Sequence, residues 1–372
     1  MLYYLCLLES TCGPLRLFRY VTFRSALGCV TALLWGLWIS PKIFKWLHRL
    51  NAINTERTAE VFEVKSVFNQ LNQLHQGKKH TTSMGGVGIV SGVLIASLLW
   101  MKPNVYSYSA LVAGLLMGLL GLTDDLLKIK FNNARGVSSQ VKWLAQGLLT
   151  LGLLYFLLRI PEVGSKIDGL QLPFFKHPWV ATLPPMLLFL FWFFVISGTS
   201  NGVNLTDGMD GLAIGCSVIV LLTYSIFTYC TGNINFSHYL NIPYLRGVEE
   251  LTVLCWGVAG AGIAFLWFNT YPAEIFMGDT GSLAIGTWIA CIALITQQAF
   301  TLVLIGFVFV IETLSVILQL SSLKLFNKRC FKLAPIHHHF ELSGIPEPKI
   351  VVRFWIISVL CALLGLMTLK LR

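Results

Sequence analysis

Long apolar runs separated by short polar stretches follow one another along the chain. A helix that crosses the hydrocarbon core of a bilayer needs about 20 mostly apolar residues. Ten runs approach that length, at 22–40, 84–101, 105–123, 143–158, 179–199, 211–230, 251–271, 283–297, 299–320 and 354–370. The pattern therefore predicts an all-α polytopic membrane protein with about ten transmembrane helices.

Composition supports this prediction. Of the 372 residues, 55% are hydrophobic and only 12% are charged, whereas a soluble domain carries about a quarter charged residues. No polar stretch is long enough to fold by itself, so residues 1–372 are predicted to form a single membrane domain. The nine cysteines are scattered without C-x-x-C spacing, which indicates small apolar residues rather than disulfides or a thiolate metal site.

The basic residues indicate how the chain is oriented in the membrane. A net charge of +10 can indicate a nucleic-acid partner, but the distribution of the charge favours an orientation signal. Seventeen of the 27 lysines and arginines lie in loops 41–83, 124–142 and 321–353. With ten spans these loops share one side, and loops rich in lysine and arginine stay in the cytoplasm. No nucleic-acid partner is therefore expected.

The polar motifs cluster on the same predicted face. They are "HQGKKHTTSMGG" before span 2, "GLTDDLLKIK" after span 3, "SGTSNGVNLTDGMDG" after span 5, "FNTYPAEIFMGDTGS" after span 7 and "APIHHHFE" after span 9. Five distant loops thus bring carboxylates, amides, imidazoles and lysines to one membrane surface. Asp207 and Asp210 fit either one face of a helix or a turn, since Gly208 and Gly211 break helices.

This set of side chains favours phosphate chemistry with a magnesium ion. Mg²⁺ takes one or two carboxylates and completes its shell with water and phosphate oxygens. Zinc fits poorly, because there is no nearby cysteine and no H-E-x-x-H spacing. Lysine, histidine and asparagine suit a diphosphate. At the cytoplasmic face a soluble nucleotide can meet a lipid, so the pattern predicts phosphoryl transfer onto a polyprenyl phosphate.

An ion-coupled transporter is the alternative from another class. It would place ionisable residues at the middle of the bilayer, in discontinuous helices of related halves. Glu312, inside span 9, is the one acidic residue that approaches this depth, and no internal repeat is evident. The other acids lie at the ends of spans, which disfavours transport.

Several segments resemble the bacterial phospho-N-acetylmuramoyl-pentapeptide transferases, from about residue 20 to the C-terminus. The segments are "DDLLKIK", "SGTSNGVNLTDGMDGLAI", "FLWFNTYPAEIFMGDTGSL", "IETLSVILQ", "KLAPIHHHFE" and "PEPKIVVRFWIIS". The wider superfamily of polyprenyl-phosphate hexosamine-1-phosphate transferases shares the Asp-Asp and Asn-Asp loops, while "APIHHHFE" is typical of the muramoyl-pentapeptide branch. A sibling transferase that uses UDP-N-acetylglucosamine is the nearer alternative.

The resemblance implies ten transmembrane helices, a homodimer, Mg²⁺ dependence and a site that faces the cytoplasm from the bacterial inner membrane. The implied reaction joins UDP-N-acetylmuramoyl-pentapeptide to undecaprenyl phosphate, which gives lipid I and UMP in the first membrane step of peptidoglycan synthesis. Direct attack by the lipid phosphate and a two-step route through an aspartyl-phosphate both fit. Direct attack is favoured, because the second pKa of a phosphate monoester is only about 6.

The resemblance also implies roles for individual residues. Asp279 is the implied metal ligand, and the implied catalytic residues are Asp124, Asp125, Asp207 and His337. Phe276 corresponds to the ring beside the uracil. The substrate-binding positions, Phe276 included, are Lys78, Ser83, Lys142, Asn201, Asn204, Asp210, Asn269, Phe276, Gln319, His338 and His339.

The loop before span 2 departs from the family pattern. In "HQGKKHTTSMGG", His80 replaces a glycine and Thr82 replaces a proline. Proline restricts the backbone and glycine frees it, so the conformation of this loop is expected to differ from that of its relatives. Lys78 is retained, so a loss of activity does not follow.

Overall fold

The structure, a computed structural model, describes residues 1–49, 82–131, 136–175 and 178–371. Within these ranges most residues are helical, and extended segments meet only in two isolated β-bridges, Thr82 with Ile275 and Leu170 with Val180. The prediction of an all-α polytopic membrane protein is confirmed.

Ten long helices form the bundle in the described part of the chain. They are α1 (Val21–Arg49), α2 (Gly86–Trp100), α3 (Val105–Phe131), α4 (Ser139–Leu158), α5 (Pro185–Thr206), α6 (Leu212–Gly232), α7 (Leu251–Asn269), α8 (Gly278–Ile295), α9 (Phe307–Phe326) and α10 (Glu347–Met367). All except α2, which has 15 residues, are long and apolar enough to cross a membrane. Short helices connect or precede them, at Leu2–Leu8, Gly13–Arg19, Pro161–Ile167, Ile234–Leu240, Val248–Glu250, Ala299–Ile305 and Ile336–Glu341.

The predicted span boundaries were wrong at several helix ends. The span predicted at 179–199 is helix α5, which starts at Pro185 and continues to Thr206. Helix α8 begins at Gly278, before the predicted position 283, and α10 begins at Glu347 rather than at 354. A hydropathy pattern detects the lipid-facing part of a helix. Such a pattern does not detect the polar turns at the ends of helices, where the side chains face other helices rather than lipid.

The span predicted at 299–320 is interrupted. A short helix, Ala299–Ile305, ends at Gly306, and α9 runs separately from Phe307 to Phe326. Both pieces are apolar, so composition alone gave no sign of the break. Glycine has little preference for continuing a helix, which is consistent with the interruption at this position.

Helix α8 lies at the centre of the bundle and is buried along nearly its whole length. It packs against α3, where Gly114, Gly118 and Gly121 share one helical face. Small residues at this spacing let two helix backbones approach closely. A Cβ atom at Gly121 would clash with the carbonyl oxygen of Asp279. The glycines therefore bring the acidic end of α3 against the start of α8.

Outer helices present apolar side chains to their surroundings. Helices α4, α9 and α10 are much less buried than α8. Their exposed side chains include Leu144 and Leu148 on α4, Leu318 on α9, and Leu360 and Leu364 on α10. Such apolar outer surfaces are expected where a helix faces lipid.

A buried ion pair joins three helices at one end of the bundle. Arg24 of α1 makes two hydrogen bonds of 2.6 Å to Glu250, which immediately precedes α7. Arg24 also donates to the carbonyl of Trp100 at the end of α2, and the backbone N–H of Lys102 donates to Glu250. Bidentate geometry of this kind is among the strongest charged interactions in proteins. The pair fixes the end of the bundle opposite to the polar motifs.

Candidate active site

Three carboxylates meet where α3 packs on the start of α8. Asp124 and Asp125 lie on α3, and Asp279 lies in the first turn of α8. One oxygen from each lies within 4.8 Å of the other two. Asp125 accepts hydrogen bonds from the backbone N–H groups of Asp279 (3.2 Å) and Thr280 (3.0 Å) and from the Thr280 hydroxyl (2.7 Å). Asp125 thus satisfies free N–H groups at the positive end of a helix, a favourable position for a carboxylate.

Two lysines contact this acidic cluster. The ammonium of Lys128 lies 2.5 Å from Asp124, 3.9 Å from Asp125 and 3.4 Å from Asp279. Lys142, from the first turn of α4, lies 3.1 Å from Asp124 and 2.5 Å from Asp279. With all five groups ionised, the cluster carries one net negative charge.

The acidic cluster fits a divalent cation by its geometry and by its donor atoms. Mg²⁺ binds oxygens at about 2.1 Å, so two ligands on opposite sides of the ion lie about 4.2 Å apart. The carboxylate oxygens lie within a comparable distance of one another, and the Lys128 ammonium already reaches all three acids. The donors are hard oxygens, which suit Mg²⁺. Asp124, Asp125 and Asp279 are thus the residues that could hold the ion.

Asn204 connects the end of α5 to this cluster. Its amide donates to Asp279 (3.0 Å) and to the hydroxyl of Ser282 (2.8 Å). Asn201 lies about one turn earlier on the same helix and donates to the carbonyl of Ser197 and to Gln146. Of the two predicted asparagines on α5, Asn204 is the one that the structure places against the carboxylates.

Asp207 and Asp210 lie in a turn between α5 and α6, so the turn is the correct one of the two predicted arrangements. Helix α5 ends before Asp207, and Gly211 has a positive φ of 79°. The backbone N–H of Asp210 donates to Glu347 at the start of α10, and its carboxylate accepts from the N–H of Ala273.

Asn269 braces the same turn from α7. Its side-chain oxygen accepts from the N–H of Gly211 (3.0 Å), and its amide donates to the carbonyl of Ile275 (2.8 Å). The turn is therefore held by side chains from the ends of two helices, Asn269 of α7 and Glu347 of α10, and by the carboxylate of Asp210.

The segment before α2 pairs with the segment before α8. The N–H of Phe276 donates to the carbonyl of Thr82, and the N–H of Gly85 donates back to Phe276. A Cβ atom at Gly278 would lie 2.8 Å from Asp125 and 3.2 Å from the hydroxyl of Ser83, so Ser83 borders the acidic cluster. Thr82, where the family pattern has proline, is buried within this pairing. The predicted Lys78 and His80 lie outside the described residues.

The three consecutive histidines have different surroundings. His337 is fully buried, and its Nδ1 lies 3.0 Å from the Glu312 carboxylate on α9. A Cβ atom at Gly208 would clash with Nε2 of the same ring, so His337 abuts the turn between α5 and α6. His338 pairs with Glu341 at 3.0 Å.

His339 and Gln319 hold the segment that leads to the histidines. His339 accepts from the N–H of Lys332 through Nδ1, and Gln319 accepts from the N–H of Phe331 (2.9 Å). These contacts fasten the segment to itself and to α9. They do not reach the carboxylates.

Sequence reasoning assigned no role to several residues that contact the site. Lys128 lies four residues after Asp124, a spacing that places both on one helix face and could have identified it. Thr280 and Ser282 follow Asp279 at the start of α8, where hydroxyls commonly bond to neighbouring groups. No local sequence pattern indicated that Glu347 contacts the site, because its partner Asp210 is distant in sequence.

The fold and the site together define a polytopic membrane protein with an acidic, lysine-paired cluster at one end of its helix bundle. Residues 107–297, slightly more than half of the chain, match the family model described as glycosyl transferase family 4, and the chain belongs to this family. It is therefore a membrane phosphosugar transferase that uses a nucleotide sugar and a polyprenyl phosphate. The match includes the acidic cluster but ends before Glu312 and the histidines.

Proposed function

We propose that this transferase uses UDP-N-acetylmuramoyl-pentapeptide as donor and undecaprenyl phosphate as acceptor, and that it produces lipid I and UMP. This is the first membrane step of peptidoglycan synthesis. The proposal includes Mg²⁺ dependence, a homodimer, and a location in the bacterial inner membrane with the site facing the cytoplasm. The observation that carries it is the position of His337 against the turn of Asp207 to Gly211, because the segment "APIHHHFE" is typical of the muramoyl-pentapeptide branch.

The acidic cluster supports the metal dependence in this proposal. Asp124, Asp125 and Asp279 would hold Mg²⁺, which when bound stabilises negative charge that develops on the diphosphate. Lys142 and Asn204 both contact Asp279. These two side chains fix the orientation of that carboxylate, and in the proposed complex their ammonium and amide groups would lie beside the phosphates.

The two lysines favour a positioning role for Asp124. Its carboxylate contacts both Lys128 (2.5 Å) and Lys142 (3.1 Å), so it holds both ammonium groups in place. An acceptor phosphate near neutral pH is largely dianionic and needs no strong base. We therefore favour direct attack, in which an oxygen of the lipid phosphate bonds to the β-phosphorus as the bond to UMP breaks.

Donor choice tests this proposal most sharply. The purified enzyme, undecaprenyl phosphate and Mg²⁺ are incubated with radiolabelled UDP-N-acetylmuramoyl-pentapeptide or UDP-N-acetylglucosamine, and labelled lipid is extracted. We expect kcat/KM for the muramoyl donor to be at least about a hundredfold higher, as for a site built to bind the correct substrate through polar groups. A preference for UDP-N-acetylglucosamine would instead assign the enzyme to the sibling transferases.

A further inference from the structure

Glu312 is a carboxyl group in an unfavourable place. It lies within α9, a candidate membrane span, and is fully buried. Ionisable residues inside a membrane helix are costly and usually mark a functional position. Replacing a buried ion pair with apolar residues of similar volume is often neutral or stabilising. Stability of the fold therefore gives little reason for a carboxyl group here.

Glu312 contacts one particular nitrogen of the His337 ring. One carboxylate oxygen lies 3.0 Å from Nδ1 of the imidazole. An ionised carboxylate can only accept a hydrogen bond, so with Glu312 ionised the proton between the two groups belongs to Nδ1. The other ring nitrogen, Nε2, then points away from α9 and towards Gly208, between the two aspartates of the turn.

The outer atoms of this pair have no hydrogen-bond partner among the residues that the structure describes. These atoms are Nε2 of His337 and the second carboxylate oxygen of Glu312, and both are buried. Buried polar atoms are nearly always hydrogen-bonded, and the exceptions call for an explanation. A pair that served only to join α9 to the histidine segment would be expected to satisfy both ends. A hydrogen bond between Nε2 and a substrate group, formed when the donor binds, would explain why this nitrogen has no partner here.

We propose that Glu312 is a positioning residue for the transferase reaction. It holds His337 with the proton on Nδ1, so that Nε2 meets the bound nucleotide sugar beside the turn of Asp207 to Gly211. This inference rests on the proposed function only in taking His337 to contact the donor substrate. The carboxylate of Glu312 itself touches no substrate and acts through the imidazole.

A double-mutant cycle tests this dependence. Glu312→Gln removes the charge at nearly constant volume, and we expect kcat to fall about tenfold or more, as when the partner that orients a functional histidine is lost. KM for the polyprenyl phosphate should stay unchanged. If Glu312 acts through His337, the double variant Glu312→Gln/His337→Asn should be no slower than His337→Asn alone. Losses that multiply independently would overturn the proposal.

Ser315→Ala is the matched control. Ser315 is another buried polar residue of α9, and its hydroxyl donates to the backbone carbonyl of Glu312 rather than to the carboxylate. It should leave kcat within about twofold of the wild type. A loss as large as that of Glu312→Gln would show that α9 tolerates no polar change and would contradict a specific role for the carboxylate.

The protonation of His337 can be observed without any change at Glu312. Nitrogen-15 NMR spectra of the enzyme labelled at histidine, recorded for the wild type and for His337→Asn, identify the His337 signals by difference. A proton on Nδ1 is the expected result, and an unprotonated Nδ1 would overturn the proposal even if Glu312→Gln failed to fold.

The cycle is measured with whichever nucleotide sugar the wild type uses. If the wild type does not use the muramoyl donor, the proposed function is contradicted. The double-mutant cycle can still be measured with the donor that the enzyme does use, and it still tests the role of Glu312.

Discussion

At the scale of single residues, the aspartates of the site have different roles because they contact different partners. Asp124 contacts two ammonium groups, Asp125 accepts from backbone and hydroxyl groups at the start of α8, and Asp210 accepts from a loop N–H. Asp124 therefore holds two ammonium groups, while Asp125 connects α3 to α8 and Asp210 stabilises the turn between α5 and α6. The residue type alone would not separate these roles.

Removal of the Lys128 ammonium should strengthen the binding of a divalent cation. Its ammonium reaches all three carboxylates and so competes with a divalent cation for them. Lys128→Gln raises the net negative charge of the cluster by one unit. We expect Mn²⁺, followed by electron paramagnetic resonance, to bind about tenfold more tightly, which corresponds to about 1.4 kcal/mol.

Lys130→Gln is the control for this experiment. Lys130 lies in the same last turn of α3, but its ammonium lies over the ring of Phe131 at 5.8 Å. Its removal should leave the Kd for Mn²⁺ nearly unchanged. Equal or weaker binding by Lys128→Gln would show that the ammonium does not occupy the cation position.

At the scale of helices, close approach brings the site together. The glycine face of α3 allows contact with α8, and Gly208 allows His337 to reach the turn between α5 and α6. A Cβ atom at these positions would need space that neighbouring atoms already occupy. The site thus depends on residues that carry no chemistry of their own.

Gly208→Ala should disable the enzyme while leaving it folded. The φ of Gly208 is not positive, so alanine fits the backbone, but the added methyl group would clash with the imidazole of His337. We expect kcat to fall about tenfold or more, as the ring is displaced from its position. Turnover and gel-filtration behaviour of the purified protein measure the two effects.

Gly198→Ala provides a comparison at a glycine that has free space around it. Gly198 lies within α5, and a Cβ atom there would meet nothing within 4 Å. Alanine is favoured over glycine in a helix by about 1 kcal/mol, so this variant should remain active and be at least as stable. Similar activity losses in both variants would argue against the contact between Gly208 and His337.

Sequence patterns predicted the helices well and their ends poorly. Apolar runs identify a span wherever lipid or a packed core surrounds it, so the bundle of α1 to α10 was largely foreseeable. The last turns of α5 are polar because they face α8, and a hydropathy pattern therefore assigned Asn201 and Asn204 to a loop. Long-range pairs such as Glu312 with His337 depend on how distant segments pack, which local patterns do not encode.

At the scale of the whole molecule, the two ends of the bundle differ in chemistry. One end holds the acidic cluster, the turn of Asp207 to Gly211 and the histidines. The opposite end is fixed by the pair of Arg24 and Glu250. Lysines from the described parts of two basic loops, Lys128, Lys142 and Lys332, lie at the end with the site, so we expect that end to face the cytoplasm. The homodimer stays a prediction.

Two native cysteines can test this orientation without new ones being introduced. Cys12 and Cys330 are both exposed. Cys12 precedes α1, near Phe18, which stacks on Trp100 at the end with the ion pair. Cys330 follows α9 at the end with the site. In right-side-out vesicles, an impermeant maleimide should label Cys12 and spare Cys330.

The variants Cys12→Ser and Cys330→Ser identify which thiol carries the label, and inside-out vesicles should give the reverse pattern. The other cysteines are buried or lie part-buried within α1 and α10, so they should contribute little label. Labelling of Cys330 from outside would contradict a cytoplasmic site.

We propose that Asp124, Asp125 and Asp279 form the cation-dependent centre of phosphosugar transfer. The most direct measurement is UMP release with the proposed donor and undecaprenyl phosphate across a Mg²⁺ titration, for the wild type, Asp279→Asn and Asp168→Asn. Asp168 ends the short helix Pro161–Ile167 in the loop between α4 and α5, away from the carboxylates, and serves as a matched control. Wild type and Asp168→Asn should show the same saturable Mg²⁺ dependence, while folded Asp279→Asn should lose at least about a hundredfold in kcat at every concentration. Near-wild-type turnover by Asp279→Asn throughout the titration would contradict the role of these carboxylates as the cation site.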